Sequence, residues 1–396
     1  MFFIDDHFVA YSGAAPVAKG WNTKRRHAQP GRDDTYICDL AGRALCFTSC
    51  EPSGLSATMR QAITELRKMV PAEFPITLGF DRGGSFPVAF NWLRVQNITW
   101  LTWQRGTITA PDTRPRWSWF KLDGVRHTYQ VVDEIIVLEG YGSCRQVTLF
   151  EHGRAVAQIL TSDLASTPGR LVHLLKCRWR IENAFKYLVE HHGIDWLCDY
   201  RKTLIVDERP VRNPDRTCAK AVLNNLKAEL AATEQTLGKT LAGTAHTPAK
   251  LAELSRLRDH RTMILDDIVD AAAVIRTHRA KLKANDLDPT AVRALLVLRR
   301  RNMQMVLRLL AYNAELWLAD RYNAYLADPD EYRAITRHLL HQPGIITYTP
   351  TQITVKIQTP DQPRIARALR LLATELNHTN THIPGDNRPL NYQIGT

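Results

Sequence analysis

The sequence contains no uninterrupted apolar run of the ~18 residues that a membrane-spanning helix needs. Its opening, MFFIDDHF, places two acids where a signal peptide would carry an apolar core. The expectation is a cytoplasmic chain with no membrane contact. Its 7 cysteines include no Cys-x-x-Cys pair, and none stands at zinc-site spacing from a histidine, so they read as reduced and structural. No internal repeat or low-complexity segment is evident. Acids are the scarcer charge: 40 Asp and Glu against 52 Lys and Arg leave a formal net charge of +12. A basic excess spread along the chain favours a polyanionic partner, nucleic acid before a membrane surface. Hydrophobic residues make up 44% of 396, enough to fill cores in two or three domains.

Taken in order, Phe2 to Tyr11 reads as a strand interrupted by the acids Asp5 and Asp6, with His7 two residues past Asp5 on the same strand face. Lys19 to Arg32, which holds Lys24, Arg25 and Arg26, reads as a basic surface loop able to meet a phosphate backbone. Thr35 to Leu40 and Ala44 to Ser49 flank a turn and predict a hairpin; Ser53 to Val70 predicts an amphipathic helix capped by Ser53. Pro75 to Phe80 predicts a strand that delivers Asp81 at its carboxyl end, followed by a helix over Ser85 to Val95 and a strand over Ile98 to Trp103. Five short β-like runs then lie between Trp117 and Leu160. A helix beginning at Pro168 and stopping at Gly193 carries Arg178, Glu182 and Lys186 on one face. The remainder is mainly helical: a long hairpin either side of Gly243 to Pro248, and a helix over Thr290 to Leu326 bearing Arg299, Arg300 and Arg301. The end reads as β structure over Ile345 to Gln358, a helix over Pro363 to Asn377 and a polar tail. Trp100, Trp103, Trp117 and Trp119 fall in β-like runs, where core packing is commoner than base stacking.

The pattern predicts an α/β fold, a mixed sheet with helices packed on it. Its first strand and the strand before Asp81 can be neighbours there, with the Glu182 helix alongside. Three carboxylates converging in a basic protein are costly unless a cation neutralises them. Oxygen ligands without Cys or His suit Mg²⁺ or Mn²⁺, and two such ions ~3.5–4 Å apart stabilise the attacking and leaving oxygens of phosphoryl transfer.

Three blocks carry a more specific resemblance: F-I-D-D-H at the start, G-F-D-R-G-G-S-F at 79 to 86, and R-W-R-I-E-N-A-F-K at 178 to 186. They resemble the acidic blocks of bacterial insertion-sequence transposases of the DDE type, in the subgroup with a β-rich insertion before the glutamate. Further similarity at 158 to 163, 213 to 216, 311 to 315 and 376 to 385 extends it over nearly the whole chain. The resemblance implies a ribonuclease-H-like core that uses two Mg²⁺ or Mn²⁺ ions to cleave duplex DNA at element ends and join it to a target, acting as a homo-oligomer on DNA. It implies Asp5, Asp81 and Glu182 as catalytic metal ligands, with Asp6 the alternative to Asp5 and His7 a supporting group. Arg178 and Lys186 would meet DNA phosphate, as would Arg82, Lys24, Arg25 and Arg26. The family's helix motif is only partly kept, because its tyrosine and second basic position are here Leu175 and Val189. Trp179 and Asn183 read as packing residues of that helix.

On this reading the catalytic core spans 1–110 and 166–200, the β-rich insertion 111–165, a helical arm 201–330 and a small α+β segment 331–396. The arm is the expected dimerisation element. Relatives of this kind commonly carry a helical DNA-recognition region ahead of the first acidic strand, whereas this sequence opens on that strand. Either the basic helical half recognises DNA, or the chain is a truncated, inactive DNA-binding remnant. A metal-dependent nuclease that does not join strands is a further alternative.

Overall fold

The computed structural model describes residues 1–71, 73–122, 124–197, 199–242, 247–326 and 332–395. By its internal contacts the chain divides into two compact units, residues 1–201 with 296–396, and residues 202–295.

The first unit is built on strand β1 (Phe2–Ala10). A hairpin of β2 (Lys19–Asn22) and β3 (His27–Asp39) follows, then β4 (Ala44–Cys50), helix α1 (Leu55–Met69), β5 (Ile76–Phe80), α2 (Pro87–Val95) and β6 (Ile98–Trp103). β3 runs antiparallel to β1, and β4 antiparallel to β3. On the other side of β1, β5 and then β6 run parallel. The order β4-β3-β1-β5-β6, with the first strand central, an antiparallel meander on one side and parallel crossovers on the other, is ribonuclease-H-like. Lys19 to Arg32 is thus a hairpin instead of a loop. Trp21 pairs with Ala28 across it, and Lys24, Arg25 and Arg26 lie exposed in and beside its turn. Ser53 is not the cap of α1: Gly54 holds that position, and the backbone N–H groups of Ser53 and Gly54 both donate to Asp33 Oδ2, at 2.9 and 3.1 Å.

Strands β7 (Arg116–Leu122), β8 (Val125–Leu138), β9 (Gly142–Glu151) and β10 (Arg154–Thr161) continue the same sheet, because β10 pairs antiparallel with β6. Two of the five predicted runs, His127 to Val132 and Glu134 to Leu138, are one strand, β8, of 14 residues. Helix α3 (Pro168–Lys176) and helix α4 (Trp179–His192) replace the single predicted helix, since the chain turns at Cys177 and Arg178. Gly193 does end α4, in the left-handed conformation at φ 58°.

The second unit holds β11 (Lys202–Val206), β12 (Pro210–Arg212), the long helices α5 (Pro214–Ala242) and α6 (Pro248–Thr277), β13 (Lys281–Lys283), α7 (Ala284–Leu287) and most of β14 (Val292–Leu296). The predicted helical hairpin forms; residues 243–246 of its turn lie outside the described residues. Arg261 of α6 donates to Glu234 of α5 at 2.9 Å. Residues 292–296 pair with β11, so the next helix, α8 (Arg299–Asn323), starts later than the pattern predicts. Helix α9 (Tyr332–Leu340), β15 (Gly344–Tyr348), β16 (Ile353–Ile357), α10 (Pro363–His378) and β17 (Leu390–Ile394) close the first unit. The polar tail is therefore partly a strand, β17, parallel to β16.

Helices cover both faces of the large sheet. Ile4, Leu78, Phe80 and Trp100 pack with Met59, Ile63 and Leu66 of α1 and Phe90 and Leu93 of α2. On the opposite face Phe3 and Tyr36 meet Ile181, Ala184 and Leu188 of α4 and Met305, Leu309 and Tyr312 of α8. Trp100 is fully buried, its ring stacked on Phe90 at 3.9 Å. Replacing it, Trp100→Ala, should cost about 3–5 kcal/mol of stability. A urea midpoint within error of wild type would show that the core is not organised around this ring.

Candidate functional site

Strand register explains why two distant aspartates meet. Ile4 of β1 pairs with Phe80 of β5, so Asp5 and Asp81 are the next positions along neighbouring parallel strands. Alternation sets them on one face, with Phe3 and Gly79, opposite the face that carries Ile4, Leu78 and Phe80 into the core under α1. Asp81 then turns the chain, accepting a hydrogen bond from Gly83 N at 2.7 Å as cap of a single 3₁₀ turn at Arg82–Gly84. The second glycine of the block is required by packing: a Cβ on Gly84 would lie 2.7 Å from Phe80 Cδ2 and 2.9 Å from Met59 Cε.

Burial, and next the Asp81 carboxylate, push the Asp5 carboxyl up to about 8, against the opposing pull of Arg178. Asp6 points to the other sheet face, where it accepts hydrogen bonds from Thr35 Oγ1 at 2.6 Å and Thr58 Oγ1 at 2.9 Å. Burial raises Asp6 to about 7 despite those hydroxyls. A cleft of about 480 Å³ opens over this region, lined by Asp5, Asp6, Asp81, Gly83 and residues of the β2–β3 hairpin and the loop before α1.

Glu182 comes to the same place through Arg178. The turn between α3 and α4 aims the Arg178 guanidinium at β1, where Nη1 donates to Asp5 Oδ2 at 3.2 Å and Nη2 donates to Glu182 Oε1. Arg178 therefore joins two of the three predicted acids. It also lines a second cleft of about 350 Å³ with Asp81, Arg82, Trp103 and Ala157. Among the described residues, no group of three His, Cys, Asp or Glu side chains is arranged to hold a metal ion.

His7, on the Asp5 side of β1, pairs with Asp195 just beyond α4, and Lys24 Nζ donates to the other oxygen of that carboxylate at 3.1 Å. Burial opposes the charge of Asp195, but its bonds to His7 and Lys24 hold it below the usual carboxylate range. Asp195 carried no sequence signal, since nothing before folding relates it to a strand 188 residues away. Arg301 of the basic run is buried, pairs with Asp34, and donates to the carbonyls of Trp196 at 2.9 Å and Ile194 at 3.2 Å. Lys186 is exposed on α4, its Nζ 5.1 Å from the centre of the Trp179 ring. Trp179 and Asn183 are exposed instead of packed. Of the four tryptophans, Trp100 is core and Trp103 half-buried, whereas Trp117 and Trp119 are exposed.

Residues 142–396 match the model of a protein family described as "Transposase protein". The chain belongs to this transposase family. No curated protein matches it. The match includes Arg178 and Glu182 of the transposase but begins beyond Asp5 and Asp81, so the neighbouring placement of those aspartates and the pairing of Asp5 with Arg178 are independent of it. Membership makes the chain a DNA-processing enzyme in the general sense. No helix among the described residues is long and apolar enough to cross a membrane.

The raised carboxyls give this transposase a testable pH dependence. An unfolded chain releases the Asp5 and Asp6 protons near pH ~4, whereas the folded chain holds them up to about 8 and about 7. The folded state binds more protons between these limits, so these groups make stability fall as pH rises from ~4 to ~8. In metal-free urea titrations across that range, Asp5→Asn should show a flatter decline than wild type. An equal slope would contradict the raised Asp5 carboxyl.

Proposed function

We propose that this transposase is of the DDE type and acts by metal-dependent phosphoryl transfer, with Asp5, Asp81 and Glu182 as its acidic residues. The observation that carries the reading is the neighbouring placement of Asp5 and Asp81 on parallel strands, linked through Arg178 to Glu182. The donor set is hard oxygen, suited to Mg²⁺ or Mn²⁺. Two close carboxylates, one held largely protonated by burial and its neighbour, match a pair that ionises fully when a cation arrives. Asp81 therefore fits as a ligand as it stands, and Asp5 and Glu182 fit once each parts from Arg178 and Asp5 gives up its proton. Bound divalent ions would supply Lewis-acid stabilisation of the attacking and leaving oxygens.

The protein's own groups would do the rest. Arg178, released from its carboxylates, has a planar fork suited to a DNA phosphate. Arg82 beside Asp81, Lys186 on the exposed side of α4, and Lys24, Arg25 and Arg26 on the hairpin add cations around the clefts, in keeping with the basic charge of the chain. His7 and Asp195 brace β1 against the exit of α4. The overall reaction would cleave DNA at insertion-sequence ends and transfer the freed strand to a target.

The test is Mg²⁺- or Mn²⁺-dependent cleavage and strand transfer on duplex DNA carrying the element's ends, comparing wild type, Asp5→Asn and Glu182→Gln. Each variant should lose at least ~10²-fold in rate, in line with losing a group that stabilises transition-state charge, while retaining DNA binding in gel shifts. Cleavage that survives Glu182→Gln would remove it from the site. Cleavage without joined products would convert the assignment to a nuclease.

A further inference from the structure

Helix α8 carries two apolar seams. Met305, Leu309, Tyr312, Leu316 and Ala319 alternate steps of four and three residues and are buried, the first four of them against Phe3, Tyr36 and α4. Met303, Leu307, Leu310, Ala314 and Trp317 follow the same alternation on another side of the helix and are exposed; the relative exposures of Met303, Leu307, Leu310 and Trp317 are 64%, 66%, 59% and 42%. Single exposed apolar residues need no explanation, but five in heptad register form the surface by which one helix packs against another.

The ends of this seam specify its occupant. One turn before Met303, Arg300 continues the seam with Arg299 at its flank, both exposed. At the far end, Asp320 flanks Trp317; it is exposed and reaches Arg43 at 3.6 Å. A second α8 laid parallel would set Arg299 and Arg300 against their own copies, which is repulsive. Laid antiparallel about a two-fold axis between Leu307 and Leu310, it sets Leu307 against Leu310 and the larger Met303 against the smaller Ala314. The same register brings Arg300 to the Trp317 ring and Arg299 to Asp320. That ring already accepts one guanidinium, with Arg321 Cζ 4.4 Å from its centre. We propose that the exposed seam of α8 is an isologous dimer interface that pairs antiparallel with α8 of a second copy of this chain. The buried seam fixes α8 to the large sheet, so the helix serves both its own core and the partner. The interface lies on α8 and not on the α5–α6 hairpin, and it requires no DNA.

The test is the molar mass of the full-length protein, free of nucleic acid, by sedimentation equilibrium over a wide concentration range. Wild type should reach twice the chain mass, and Leu307→Glu combined with Leu310→Glu should remain monomeric with unchanged far-UV circular dichroism. If that pair of changes disturbs folding, the charged ends answer independently. Asp320→Arg should weaken association at least tenfold, and adding Arg299→Asp should restore it. A wild type that stays monomeric would overturn the proposal and leave the seam to DNA or to another segment. It would equally be overturned by a dimer that ignores both sets of changes, or by failure of Arg299→Asp to rescue.

Discussion

Asp5 and Asp81 lie at one level of two neighbouring parallel strands, and their mutual repulsion in a largely desolvated position is the constraint on which the rest of the site depends. The chain meets it by pairing Asp5 with Arg178 and by keeping a proton on Asp5. Arg178 reaches β1 because α3 and α4 are separate helices with a turn at Cys177 and Arg178; within one continuous helix it would be an ordinary member of a surface ladder. The same guanidinium then holds Glu182, so one side chain links two of the three acids.

A second set of charges holds α4 in place. The Asp34–Arg301 pair is buried between β3 and α8, and Arg301 also binds the carbonyls of Ile194 and Trp196 just beyond α4. Ser49 Oγ donates to Asp34 Oδ1 at 2.5 Å and accepts from Arg32 Nε at 2.9 Å, which extends the network into β4. Removing one member of such a pair typically costs ~3–5 kcal/mol because the other charge stays buried. The exit of α4 is thus tied to the sheet at two points, through Arg301 and through the contact of Asp195 with His7.

Helix α8 couples these arrangements. Its inner seam packs on Phe3 and Tyr36 beside the acidic strand, Asn313 bonds both backbone groups of Ala44, and its outer seam is apolar and exposed. The helix therefore joins the site face of the sheet to a surface available to a partner.

The sequence by itself determined the elements whose periodicity is strong and whose partners are near in the chain: β1, the β3–β4 hairpin, α1, β5, β6 and the two long helices of the second unit. It also singled out the three acids as candidates, because acids at a strand end or among cations are visible before folding. Tertiary structure alone decided what those residues meet. Strand register set Asp5 beside Asp81 and turned Asp6 to Thr35 and Thr58 on the opposite face, a choice that adjacent acids in a sequence leave open. The pairings of β2, β14 and β17 depend on partner strands that no local pattern names, so those segments read as loop, helix or tail. Arg301 in the core and Asp195 on His7 were equally hidden, because burial and ion pairing are properties of the assembled chain, and a basic run reads the same whether its charges face water or an aspartate.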